Sequence, residues 1–171
     1  MKKIIIGIFI FLGALNSKGQ TPDELFNQGL EFYNQGLYSK AEPFWIDAKD
    51  IREKVLGKEH PDYASACQYL ALLYKEQGLY SKAEFLNIEA RNIRGKVLGK
   101  GHPDYASSCH NLAVIYRSQD LNSKAELLYL EAKGIRERVL GKAHPDYASS
   151  CNNLAILYRN QGLYSKAETL Y

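Results

Sequence analysis

Leu56-Gly57-Lys58-Glu59-His60-Pro61-Asp62-Tyr63-Ala64 returns almost unchanged at residues 98–106 and again at residues 140–148. A second phrase, Gln35-Gly36-Leu37-Tyr38-Ser39-Lys40-Ala41-Glu42, returns at Gln77, Gln119 and Gln161. Both phrases recur every 42 residues, and residues 56–97 match residues 98–139 at 25 of 42 positions. A fixed period of this length marks stacked supersecondary units that bury their cores against one another.

Each unit reads as two helices. In residues 63–76, Cys67, Leu70, Ala71 and Tyr74 fall at i, i+3, i+4 and i+7, one apolar stripe of a 3.6-residue helix, with Asp62 as the expected N-cap behind Pro61. The second helix is expected to open on the capping box Ser81-Lys82-Ala83-Glu84, which recurs as Ser39/Glu42, Ser123/Glu126 and Ser165/Glu168. Its buried stripe is expected to be Leu86, Ala90, Ile93 and Val97, and one unit later Leu128, Ala132, Ile135 and Val139. Gly57, Gly99 and Gly141 are then expected to supply left-handed C-terminal stops. No strand pattern appears. The fold class is therefore all-α, a solenoid of antiparallel helix-turn-helix units at about residues 22–56, 57–98, 99–140 and 141–171, the last incomplete.

Small residues at Gly29, Ala71, Ala113 and Ala155 are followed three positions later by Phe32, Tyr74, Tyr116 and Tyr158, and then by Ala41, Ala83, Ala125 and Ala167, with Ala48, Ala90 and Ala132 beyond. This pattern resembles the tetratricopeptide repeat (TPR). Its 42-residue spacing, with His-Pro-Asp-Tyr-Ala, Asn-Leu-Ala and Gln-Gly-Leu-Tyr, is similar to the subclass of kinesin light chains and many bacterial TPR proteins. The resemblance covers roughly residues 22–171 and implies a right-handed solenoid and recognition of a peptide or protein. Cysteine stands at 67, 109 and 151 where the pattern usually has a large residue, and Asn87 replaces the bulky residue seen as Trp45, Tyr129 and Tyr171. These departures predict looser local packing.

The 171 residues are 46% hydrophobic and 24% charged, which fits a globular class. The net charge of +3 comes from Lys2, Lys3 and Lys18 in an acid-free leader, and the remaining nineteen basic residues are balanced by nineteen acidic ones. A neutral body excludes a general polyanion binder, so no nucleic-acid partner is expected. Met1-Lys2-Lys3, the apolar run of residues 4–15 and Asn16-Ser17-Lys18-Gly19 have the three parts of a secretory signal cut after Gly19. Twelve apolar residues are short of the ~20 needed to span a bilayer. The mature chain is expected outside the cytoplasm, periplasmic or extracellular, without a membrane partner; the alternative is tethering by an uncleaved leader.

No catalytic residues, cofactor or metal site are expected. The three cysteines occupy one site in successive units, about 10 Å apart, which is beyond disulfide reach and predicts free buried thiols. His60, His102 and His144 recur likewise, so no two share a metal. The His-Pro-Asp triplet also resembles the J-domain co-chaperone signature, but its threefold recurrence as a helix entry marks scaffolding. The run Gly95-Lys96-Val97-Leu98-Gly99-Lys100-Gly101 has neither the spacing nor the Ser or Thr of a phosphate loop.

The binding face is expected on the first helix of each unit, beside its buried stripe. There lie Gln68, His110 and Asn152, then Leu72, Val114 and Ile156, then Lys75, Arg117 and Arg159, with Asn111 and Asn153 alongside and Tyr69 in the place of a third Asn. Amide side chains both donate and accept, which suits an extended peptide backbone, and the basic ladder suits a carboxylate-bearing partner. Ser65, Ser107 and Ser149 stand where carboxylate-clamp arrays that hold chaperone tails often carry Lys. The expected function is thus an exported scaffold binding a protein or peptide on its concave face. The alternative is a regulatory N-terminal array of a longer enzyme or signalling protein, for example one with a caspase-like peptidase domain. Tyr171 ends the chain a few residues into a second helix, so self-association through this uncapped unit is a further expectation.

Overall fold

Helix follows helix through the chain. The computed structural model describes residue 15 and residues 19–170; the expected leader, residues 1–19, lies outside them except at residues 15 and 19. Among the described residues there are eight helices and no strand: α1 (Pro22–Asn34), α2 (Tyr38–Leu56), α3 (Pro61–Glu76), α4 (Tyr80–Val97), α5 (Pro103–Ser118), α6 (Asn122–Leu140), α7 (Pro145–Asn160) and α8 (Tyr164–Glu168). None of these helices is long and apolar enough to cross a membrane.

The helix starts differ from the expected ones. α3, α5 and α7 are capped by His60, His102 and His144, not by an aspartate: each imidazole Nδ1 accepts the N–H of Asp62, Asp104 or Asp146 at 3.1 to 3.2 Å, and Pro takes the first helical position. Asp62 thus lies in the first turn, where its charge complements the helix dipole. α2, α6 and α8 begin at Tyr38, Asn122 and Tyr164, so Ser39, Ser123 and Ser165 already lie inside them, and the N-caps Leu37, Leu121 and Leu163 make no side-chain cap bond. A capping box does exist, at Thr21 and Glu24, whose carboxylate accepts the Thr21 N–H at 2.8 Å.

The turn between paired helices is closed by a recurring bond. The N–H of Leu37, Leu79, Leu121 and Leu163 donates across it to the carbonyl of Phe32, Tyr74, Tyr116 and Tyr158 at 2.8 to 2.9 Å. The residue before that leucine must then take positive φ, which Gly36, Gly78 and Gly162 do freely and Asp120 does at 59°. At the far end, Gly57, Gly99 and Gly141 have positive φ, 81° to 87°. For Gly57 and Gly141 the ψ of 162° to 165° makes the conformation extended, not left-handed helical.

The chain forms two compact units, Met1–Ile93 and Arg94–Tyr171, with the boundary inside α4. In the first, α1 packs on α2 and α2 on α3, burying Leu25 against Ala48 and Ile51, while Tyr63, Ala64 and Cys67 of α3 meet Ala90 and Ile93 of α4. Trp45 lies directly over Gly29, where an added Cβ would fall 2.4 Å from the indole. Asn87, in the place of that tryptophan one unit on, is 1% exposed. In the second unit α5, α6, α7 and α8 pack in succession, and Leu112, Ala113 and Tyr116 share one core with Tyr129, Leu154 and Ala155.

Val97 and Val139, expected to close the second-helix stripes, are about half exposed, because the stripes reach the facing helix through Leu86, Ala90 and Ile93 and through Leu128, Ala132 and Ile135. Ala113 is fully buried against Tyr129 and Ala155. Ala113→Leu is expected to cost about 1 to 3 kcal/mol by overpacking, read as a lowered thermal midpoint.

Candidate functional site

The first-helix face of the second unit is built by α5 and α7. Asn153 Nδ2 donates to the Ser149 carbonyl at 3.0 Å, one turn back in α7. This turns its Oδ1 outward to accept from Arg117 Nη1 of α5 at 3.2 Å, so the two expected site residues meet across the helices. Asn111, Val114 and Ile156 are half-buried, and Asn152 and Arg159 are exposed. Among the described residues, Arg159 makes no ion pair. The result is an apolar strip flanked by amides and two guanidinium groups, one held and one open.

His110 does not join this face. It is 9% exposed, packs edge-on against Tyr129 with ring centroids 5.3 Å apart, and its Nδ1 lies 3.4 Å from Arg136 Nη1. Burial, with the Arg136 and Arg117 guanidinium groups nearby, pulls the imidazole down to about 4. Arg136 itself is buried: its Nη1 donates to Ser150 Oγ at 2.7 Å and to the Asp146 carbonyl at 3.1 Å, and Nη2 to Ser107 Oγ at 3.3 Å. Arg94 does the same to Ser108 Oγ at 2.8 Å and the Asp104 carbonyl at 3.3 Å. The 42-residue recurrence of this arginine, with a serine fourteen residues after it, was the available signal for these buried charges.

In the first unit the face has another chemistry. Gln68 is half-buried, and Lys75 is bound to the Glu76 carboxylate, which neutralises that rung of the basic ladder. Tyr69, 39% exposed, lays its ring against Phe26 at 4.5 Å and Trp45 at 5.7 Å. Aromatic surface thus stands where the second unit has asparagine. The departure at Tyr69 was visible in the sequence, but its aromatic partners on α1 and α2 were not.

Cys67, Cys109 and Cys151 are buried free thiols. Burial and then the neighbouring Glu89 carboxylate push the Cys67 thiol up to about 12, far from a nucleophilic thiolate at neutral pH.

Two family models, both described as tetratricopeptide repeat, match residues 25–96 and residues 106–146 with 148–171. The chain belongs to the tetratricopeptide repeat family. Among solved structures, BtubC (BKLC) from P. vanneervenii superposes with a TM-score of 0.78 at 25% identity, over 88% of this chain and 62% of that one. The chain therefore spans less than two thirds of the BtubC chain. A Podosopora anserina protein described as a kinesin light chain with nearly identical TPR-like repeats gives 0.77 at 26% identity, covering 88% of this chain and 73% of that one. A second Podosopora anserina structure of the same description gives 0.74 at 24%, covering 95% of this chain and 77% of that one, a likeness of fold alone. These neighbours place the chain with the kinesin-light-chain-like TPR proteins. No curated protein matches it significantly. TPR proteins generally serve as protein–protein interaction scaffolds and are typically non-catalytic.

Proposed function

We propose that this TPR chain is an exported scaffold that holds an extended, carboxylate-bearing peptide or protein segment on the first-helix face of its second unit. The observation that carries the reading is the Arg117–Asn153 contact at 3.2 Å beside the open Arg159. It holds one guanidinium in place, so less side-chain freedom is lost when a carboxylate docks. Asn111 and Asn152 stand ready for the peptide backbone. Export rests on the basic start and twelve-residue apolar run of the leader.

Selection of displayed random peptides on the full chain tests the partner. Enriched sequences are expected to carry Asp or Glu, and Arg159→Ala should weaken their binding about tenfold, the worth of one charge-assisted hydrogen bond. Enrichment without acidic residues, or affinity untouched by Arg159→Ala, refutes the face. N-terminal sequencing of the mature protein, expected to begin at Gln20, checks export.

A further inference from the structure

The first unit contains a cleft of about 490 Å3 between α2, α3 and α4, within the size range of small-molecule sites. None of Gln68, Tyr69 and Lys75 lines it. Its floor is apolar: Leu70 is 1% exposed, the Tyr74 ring lies beside it, and Leu86 is half-buried. Ile46 walls one side, and Phe85 stands at the edge 68% exposed. A phenyl group left this far in water beside an apolar cleft is surface that a ligand's apolar body would cover.

The polar groups of the lining decide the ligand's head. They include Lys49, Asp50 and Lys82. Lys49 is committed, with its ammonium 2.8 Å from Asp50 and 3.7 Å from Glu53, so Asp50 is neutralised as well. The Lys82 ammonium is held 5.0 Å from the centre of the Tyr74 ring and makes no ion pair among the described residues. A positive charge without an ion pair, set by a cation–π contact on a tyrosine whose hydroxyl donates to Glu42 at 2.9 Å, therefore borders an apolar hollow.

We propose that this cleft binds an amphiphilic monocarboxylate, its hydrocarbon or aromatic body on Leu70, Leu86 and Phe85 and its carboxylate on Lys82. The site lies on other residues than the peptide face and stands or falls separately from it. A small carboxylate is favoured over a helical partner segment because the polar complement is a single charge at the cleft and not a charged rim along a helix.

The test is calorimetric titration of the full chain with sodium dodecanoate below its micelle concentration. One saturable site per chain is expected. Lys82→Glu and Phe85→Asp, both at exposed positions that leave the helices intact by circular dichroism, should each weaken binding about tenfold or more. Dodecan-1-ol, with the same chain and no charge, should bind more weakly than dodecanoate. Absence of saturable binding by the unmodified protein, an unchanged affinity in both variants, or equal binding of the alcohol overturns the proposal.

Discussion

Trp45→Ala should cost the first unit about 3 to 5 kcal/mol, the range for removing a buried tryptophan. The indole is 1% exposed and lies among Phe26, Tyr33 and Tyr69, with ring centroids 5.3 to 5.8 Å away, and its Nε1–H donates to the Phe26 carbonyl at 3.1 Å. Truncation leaves a cavity and removes this added bond to a carbonyl of α1. The same fit predicts that Gly29→Ala alone is costly, since its Cβ would meet the indole at 2.4 Å. The second unit supplies the repair: sixteen residues separate Gly29 from Trp45 and Ala113 from Tyr129, a pair that packs without strain on an alanine. Gly29→Ala combined with Trp45→Tyr should therefore be less destabilised than the two changes summed, with a coupling of about 0.5 kcal/mol or more in urea denaturation. Simple additivity would show that the two positions do not share one packing site.

The second large effect is a loss of stability in mild acid that traces to His110. Its imidazole is held neutral at about 4 in the fold, against about 6.5 in an unfolded chain. The unfolded state therefore binds more protons between these values, and the stability contributed by the neutral ring is complete above pH 6.5 and is lost as pH falls toward 4. The full loss is about 3 kcal/mol. Protonation would place a second cation 3.4 Å from Arg136 Nη1, with Arg117 on its own helix adding to the repulsion and only Asp146 of α7 opposing it; Tyr129 of α6 faces the ring as an uncharged phenol. Thermal midpoints between pH 7 and 4, compared with those of His110→Asn, should converge as pH falls. Parallel curves would mean that His110 does not titrate in this range.

The period, the helix pairs and the small residues at their crossings were legible because they depend on spacing alone. Gly29, Ala71 and Ala113 announce close approach wherever they recur. The caps were less legible because two rival readings share one sequence: aspartate is the stronger N-cap in general, but in His-Pro-Asp the imidazole Nδ1 reaches the Asp62 N–H first. Likewise Ser81 and Glu84 match a capping box, yet the Leu79 bond to the Tyr74 carbonyl sets the chain direction early enough for α4 to begin at Tyr80. Of the expected site residues, Arg117 and Asn153 meet, Asn152 and Arg159 are open, and His110 is withdrawn. That last difference came from Arg136, whose burial no local pattern around His110 announces.

The buried guanidinium groups bear on how a chain of near-copies finds its own order. Arg94 ends on Ser108 and Arg136 on Ser150, whereas fourteen residues beyond Arg52 stands Ala66, and Arg52 bonds instead to Asp23 at 2.9 Å. Were α6 to take the place of α2 on α3, its arginine would be sealed against a methyl group, a penalty on the order of several kcal/mol. Chains of repeats are prone to wrong assembly between look-alike segments. One hydroxyl, present in two copies and missing from the third, thus sets the first copy apart from the other two as the chain folds.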